Sequence, residues 1–239
     1  MDWSGKGLII GVRRHGESSV IVEVMTPERG RHLGLVRGGR SRKHAATLQP
    51  GNKVSLHWRA RLEEHLGTFS IELIRARAAD LIANRHGLYA AQLIFAHLRL
   101  LPERDPHKRL LGFAEEILDA EVDLIRRAQM LALFELALLD ELGFGLDLSA
   151  CALSGEESGL SHVSPKTGRA VTSKAAADYV DRLLSLPPFF KSTKTATIQD
   201  CLDGLRLTGH FLHMHVWSVR DIEPPPMRDQ FITDLQHAL

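Results

Sequence analysis

The 239-residue sequence has only two cysteines, Cys151 and Cys201, far apart in the chain. That is too few for a disulfide-built scaffold, and a reduced, cytoplasmic protein is expected. No apolar run approaches the roughly 18 residues of a membrane span, and no basic start leads into an apolar stretch, so neither anchor nor leader is expected. The Gly-x-x-x-x-Gly-Lys-Ser/Thr phosphate loop and the His-Glu-x-x-His zinc motif are both missing. Gly155-Glu156-Glu157-Ser158-Gly159 imitates a nucleophile elbow, but no strand pattern precedes it. Catalytic residues and cofactors are therefore not expected, and the chain reads as a nonenzymatic protein. Aromatic residues are few, at 6%, and the first 80 residues contain only Trp3, Trp58 and Phe69.

What is present is unevenly distributed charge. Of 30 Lys/Arg and 29 Asp/Glu, fourteen and eight fall in residues 1–80, leaving 16 and 21 for residues 81–239. The formal total of +1 thus divides into +6 and −5. A basic N-terminal third points to a nucleic-acid face, and the acidic remainder argues against indiscriminate coating of a polyanion.

The hydrophobic period also changes. Leu8, Ile10 and Val12 alternate with Ile9, Gly11 and Arg13, Val20, Val22 and Val24 alternate with Ile21, Glu23 and Met25, and Leu33 and Leu35 follow a Pro27–Gly30 turn. Three strands are predicted there, with a helical turn over Ala45–Leu48, a fourth strand through Val54, Leu56, Trp58, Ala60 and Leu62, and a fifth through Phe69, Ile71 and Leu73. Five strands with a helical insertion after the third predict an OB-fold over residues 1–79, although an SH3-like barrel has a similar pattern. From residue 80 the period becomes 3.6. Helices are predicted through Tyr89–Leu101, Leu110–Leu118 and Leu124–Leu142, the last apolar nearly all round and so central to a bundle. An irregular excursion over residues 146–172 precedes predicted helices over Ser173–Leu186 and Thr197–Val219 and a short tail helix after Pro224-Pro225-Pro226. The class is α+β: a barrel followed by a helical domain over residues 80–239.

Within the barrel, Val36-Arg37-Gly38-Gly39-Arg40-Ser41-Arg42-Lys43 places four fixed charges and two glycines at the end of a strand pattern. Guanidinium forks suit phosphate oxygens, and the glycines allow a close bend, so Arg37, Arg40, Arg42 and Lys43 are the first candidates for nucleic-acid contact. Arg59 and Arg61 come second, because alternation with Trp58, Ala60 and Leu62 points both to the outside of the fourth strand. Arg13 and Arg14 are adjacent and face opposite ways, so at most one joins this surface; Arg13 is the candidate. Trp58 and Phe69 occupy apolar registers that suit a core. With few aromatics to stack bases, a grip on phosphates that leaves base edges free is expected.

Arg13-x-His15-Gly16-Glu17-Ser18-Ser19, Gly34-Leu35-Val36-Arg37-Gly38, Leu48-Gln49-Pro50-Gly51 and Trp58-Arg59-Ala60-Arg61-Leu62, in this order, resemble the bacterial recombination mediator family RecO. The resemblance covers nearly the whole chain. It implies an OB-fold followed by a helical domain, and a DNA repair protein that binds single-stranded and possibly double-stranded DNA and anneals complementary strands. It further implies partnership with RecR and single-strand-binding protein, an indirect role in loading RecA, and a place near the nucleoid. The family's excursion often carries a zinc site, and its four ligand positions match Cys151, Ser154, Thr172 and Ala175 here. Hydroxyls do not replace thiolates toward zinc, so no metal is expected, and His162 is not expected to substitute.

His210, His213 and His215 look like a metal cluster, but on an α-helix residues 213 and 215 lie about 200° apart, and the apolar residues between them favour a packed helix. In this family single-strand-binding protein is recruited through an acidic, apolar-ended tail. Arg126, Arg127 and Arg206 are candidate receivers, with plain surface roles equally open to each. A different class of function also remains open: an RNA-binding OB or SH3-like module on a helical scaffold.

Overall fold

The computed structural model describes residues 1–62 and 64–239, and its backbone contacts divide the chain into two compact units, Met1–Asp119 and Ala120–Leu239. In the first, β1 (Asp2–His15), β2 (Ser19–Thr26), β3 (Gly30–Val36), β4 (Lys53–Arg59) and β5 (Thr68–Arg75) close a barrel in the order β1-β2-β3-β5-β4. A single parallel pairing of Leu35 with Thr68 joins β3 to β5, and every other pairing is antiparallel. This is the OB-like arrangement expected from the strand count and the helical insertion α1 (Arg42–Ala45).

The expected alternation of β1 fails at one residue. Ile9 pairs with Val24 and Gly11 with Glu23, so Ile10 is the extra residue of a β-bulge. Ile9 and Val12 consequently share the barrel interior with Val22, Val24, Val54, Leu56, Trp58 and Phe69. Leu8 and Ile10 are nonetheless fully buried. The fourth strand is shorter than predicted. It ends at Arg59, Ala60 spends its N–H on the Met1 carbonyl, and Leu62 is 47% exposed beyond it.

One mouth of the barrel is filled by rings. Trp3 stacks on Trp58 with centroids 6.0 Å apart, and His32 meets both edge-on at 5.0 and 5.7 Å. Burial lowers the His32 pKa from its usual 6.5, against a weaker opposing effect of its bond to the Arg29 carbonyl. The folded state therefore holds fewer protons at His32 than the unfolded chain, which costs stability as pH falls below about 6.5. Denaturant unfolding across this range is expected to show that loss in the wild type and a smaller one in His32→Phe; parallel losses in both would contradict it.

Helices α2 (Ala78–Ala83), α3 (Arg85–Leu98) and α4 (Lys108–Asp119) complete the first unit. Asn52, 1% exposed, uses its whole amide at the junction: Nδ2 donates to the Ala46 and Thr47 carbonyls, and Oδ1 accepts from the N–H groups of Arg77 and Ala78. Charged pairs add to this attachment. Lys53 Nζ lies 2.7 Å from Glu115, and Arg75 and Arg77 converge on Asp119. Burial acts to raise the Asp119 carboxyl, but hydrogen bonding and charge from Arg77 hold it below the usual range.

In the second unit α5 (Leu124–Glu141) is the buried central helix, as its all-round apolar pattern predicts. The excursion is not irregular throughout. β6 (Leu160–Val163) and β7 (Ala170–Thr172) form a hairpin, followed by the one-turn α6 (Ser173–Ala176). The predicted helix over Ser173–Leu186 ends there, because Leu184–Ser185 is drawn out as β8 to pair with β6. A few tenths of a kcal/mol of helix propensity per residue are outweighed by pairing the open edge of β6 and burying Leu186. Helix α7 (Ile198–Leu212) starts at a capping box of Thr197 and Asp200 and continues through one π-turn, His213–Trp217, into α8 (Ser218–Arg220). Tail helix α9 (Pro226–Gln236) follows. There Arg228 forms a bidentate pair with Glu135 of α5, both contacts at 2.9 Å, and also donates to the Leu205 carbonyl.

Candidate nucleic-acid interface

The basic run is a fixed turn and not a loose loop. Gly39 N–H bonds the Val36 carbonyl, Ser41 N–H the Gly38 carbonyl, and Arg40 N–H the Ser18 carbonyl of the neighbouring β1–β2 turn. Gly38 has φ +64°, a left-handed geometry that a side chain resists, and a Cβ on Gly39 would lie 2.5 Å from Val20. Arg42 is the first residue of α1. Lys43 belongs to the same helix, but its side chain lies outside the described residues. Arg40 also donates from its guanidinium to the Glu17 carbonyl, so one of its five N–H groups already ties the two turns together.

Strand register places the remaining candidates. Arg13 pairs with Ile21, Ile21 with Leu35, Leu35 with Thr68, and Thr68 with Arg59. Cross-strand partners share a face, and the neighbours Val12, Val22, Trp58 and Phe69 point inward. The row Arg13–Ile21–Leu35–Thr68–Arg59 therefore lies outside the barrel wall, with Arg13 and Arg59 exposed at its ends and Ile21 buried at 7% exposure. Measured round the closed barrel, its four ladder steps of about 4.8 Å come to about 19 Å. Arg61 does not sit on the fourth strand as predicted; it is exposed in the β4–β5 loop just past the strand end. The β1–β2 turn, the β4–β5 loop and the outer face of β2–β3 are the regions by which OB-folds hold oligonucleotides.

Ion pairing separates two kinds of cation here. Arg31, Lys53, Arg75, Arg77 and Arg99 are all committed to carboxylates within the unit. Among the described residues, Arg13, Arg37, Arg40, Arg42, Arg59 and Arg61 form no ion pair, and all six are exposed. The sequence reading weighed Arg14 and set it aside in favour of Arg13. The Ile10 bulge puts Arg14 in register with Val20, the side chain on which Gly39 packs, so it stands beside the basic turn. The alternation read from sequence does not say which residue of β2 stands opposite; the register does.

Elsewhere the candidates divide. Arg127 is buried, not a surface arginine; desolvation lowers its pKa, and Nη2 donates to the Ala120 carbonyl. Arg126 bonds Gln129, whereas Arg206 remains 70% exposed with Asp203 at 3.9 Å. His210 Nε2 lies 3.0 Å from the Pro165 carbonyl, and His215 stacks on Phe144 at 4.7 Å, so these rings are packed against the unit's own groups. No group of three or more His, Cys, Asp or Glu is arranged to hold a metal among the described residues.

Of the zinc-matching positions, Thr172 donates its N–H to Cys151 Sγ at 3.4 Å, with its hydroxyl 3.8 Å from the same sulfur. Ala175 packs against the apolar plug of Cys151, Val171 and Ala176. Hydrogen bonds from Ser154 and Thr172 lower the Cys151 thiol to about 6. Both cysteines are free and buried, and burial pushes Cys201 up to about 12. Among the described residues no helix is long and apolar enough to cross a membrane.

The family model described as Recombination protein O N terminal matches residues 1–77, and Recombination protein O C terminal matches residues 78–219. The chain is 49% identical over 241 residues to the DNA repair protein RecO of Rhizobium etli, covering 100% of this chain and 94% of that protein. For the Brucella abortus protein of the same name the values are 49%, 100% and 98%. For that of Bradyrhizobium diazoefficiens they are 50% over 238 residues, 98% and 95%.

Proposed function

Because the chain belongs to the RecO family of DNA repair proteins, we propose that it is a nonenzymatic recombination mediator that captures single-stranded DNA on residues 1–79 and anneals complementary strands. The observation that carries the reading is the set of six exposed arginines that form no ion pair among the described residues, set on the OB-like face and its flanking turns. A guanidinium already neutralised by a carboxylate gains little from a phosphate, whereas an unpaired one releases counterions on binding. Arg37, Arg40 and Arg42 hold the strand at the turn, Lys43 is the fourth candidate of that run, and Arg13 and Arg59 hold the strand along the outer row with Arg61 at its edge. Backbone capture leaves base edges available to a second strand.

RecR, single-strand-binding protein and, indirectly, RecA are the proposed partners, and the acidic helical part is the proposed docking region, with Arg126 and Arg206 its exposed candidates. The sequence at Cys151, Ser154, Thr172 and Ala175 supports a knuckle held by hydrogen bonds and apolar packing without zinc, and near-stoichiometric zinc in the purified protein would overturn that.

The test is annealing of complementary oligonucleotides coated with single-strand-binding protein, together with binding of DNA and RNA strands of one sequence across a salt series. Annealing, a log–log salt slope of about −0.7 per phosphate, and similar DNA and RNA affinities are expected. A strong preference for RNA, through the 2′-hydroxyl, would favour the RNA-module reading instead.

A further inference from the structure

We infer that the barrel carries a second single-strand subsite, at the mouth remote from the basic turn, in which one unpaired base is sandwiched between Trp3 and Arg29 while Lys6 meets an adjacent phosphate. The inference rests on the single-strand reading above and adds to it a contact with a base.

A depression of about 500 Å³ opens there, lined by Trp3, Lys6, Thr26, Pro27, Glu28 and Arg29 among others. Trp3 is the one ring of the barrel's aromatic cluster that is only partly buried; Trp58 and Phe69 are 1% and 5% exposed. One face of Trp3 is backed by Trp58 at 6.0 Å, so the indole is held as a platform. Over the ring stands Arg29, with its guanidinium carbon 6.0 Å from the centroid. A base stacked against both planes needs about twice the 3.4 Å stacking distance, so the gap has to widen by only about 1 Å.

The turn is built to let Arg29 make that movement. Its N–H is bonded to Thr26 Oγ1 at 3.1 Å and its carbonyl to His32 Nδ1 at 3.0 Å, which fixes the backbone and leaves the side chain free. Among the described residues neither Arg29 nor Lys6 forms an ion pair, although the Glu28 carboxylate stands on the rim. Planar aromatic and guanidinium surfaces with a lysine beside them match a base and its phosphate; they offer nothing to an apolar peptide. The β2–β3 hairpin, eight and seven residues long, separates this mouth from the basic turn by roughly 23 Å. Two segments of strand can thus be held apart on one barrel.

Tryptophan emission reads the subsite directly, because the other two tryptophans, Trp58 and Trp217, are 1% and 4% exposed. Titration of the full chain with an oligothymidylate is expected to quench emission in the wild type, and to do so far less in Trp3→Phe, whose ring preserves the packing. Arg29→Ala with Lys6→Ala, which removes no core side chain, is expected to weaken binding roughly 5- to 100-fold and to make the salt slope shallower by about 0.7, for the one phosphate that Lys6 meets. If wild type binds DNA with unchanged emission, and the Arg29 and Lys6 double variant binds like wild type, the subsite does not exist. If wild type binds no single strand at all, the underlying functional reading has failed instead.

Discussion

Replacing Arg228 with Leu is expected to destabilise the unit Ala120–Leu239 by about 3–5 kcal/mol, the usual cost of leaving one partner of a buried ion pair without the other. Glu135 is 1% exposed and accepts from Nε and Nη2 of this guanidinium, each at 2.9 Å. Thr208 also donates to it, while spanning back to the Gly204 carbonyl at 3.0 Å. Burial alone disfavours the Arg228 charge, yet Glu135 outweighs it and the pKa is raised. Space for the guanidinium comes from Gly209, where a Cβ would lie 2.7 Å from its nitrogens, and Trp217 covers it at 5.8 Å. The double change Glu135→Leu with Arg228→Leu removes both charges and is expected to cost less than Arg228→Leu alone. Urea unfolding of the three proteins decides the matter. A single variant within about 1 kcal/mol of wild type would mean that Glu135 is solvated or otherwise neutralised, and that the tail helix is not locked in this way.

Changing Arg37, Arg40 and Arg42 together to Ala is expected to abolish annealing and to make the single-strand salt slope shallower by about 2, at about 0.7 for each phosphate no longer neutralised. All three are exposed, so the defect arises at the phosphates and not in the core. Arg40 is the exception to a purely ligand-facing role, because it also ties the turn to Glu17, and Arg40→Lys separates the two contributions. A lysine keeps the charge but loses the fork, so a partial defect is expected. Arg206→Ala, an exposed arginine on α7, serves as the control and is expected to leave the slope unchanged. A triple variant that anneals like wild type would remove the basic turn from the interface.

The class of fold and the location of the basic surface were legible in the amino-acid order alone. A switch from period two to 3.6 is a local signal set by which side chains must face a core, and it needs no knowledge of partners. The same holds for α5, apolar all round and buried, and for Trp58 and Phe69, whose apolar registers place them in the barrel interior.

Whatever depends on one segment meeting another emerged only in the folded chain. The bulge at Ile10 changed which residues of β2 stand opposite Arg13 and Arg14, because pairing with β2 and not local alternation sets that register. Residues 173–186 read as one helix by propensity but kept only the turn Ser173–Ala176 and ended in a strand, because β6 had an edge to pair. Ion pairing separated free arginines from committed ones, since Arg75 and Arg77 meet Asp119 only when the chain folds back. Trp3 passed from a scarce aromatic to a backed platform on the same terms: Trp58, 55 positions further along the sequence, stands behind it and Arg29 above it. Charge and period are properties of a segment, whereas a free charge or an open ring face is a property of its neighbours.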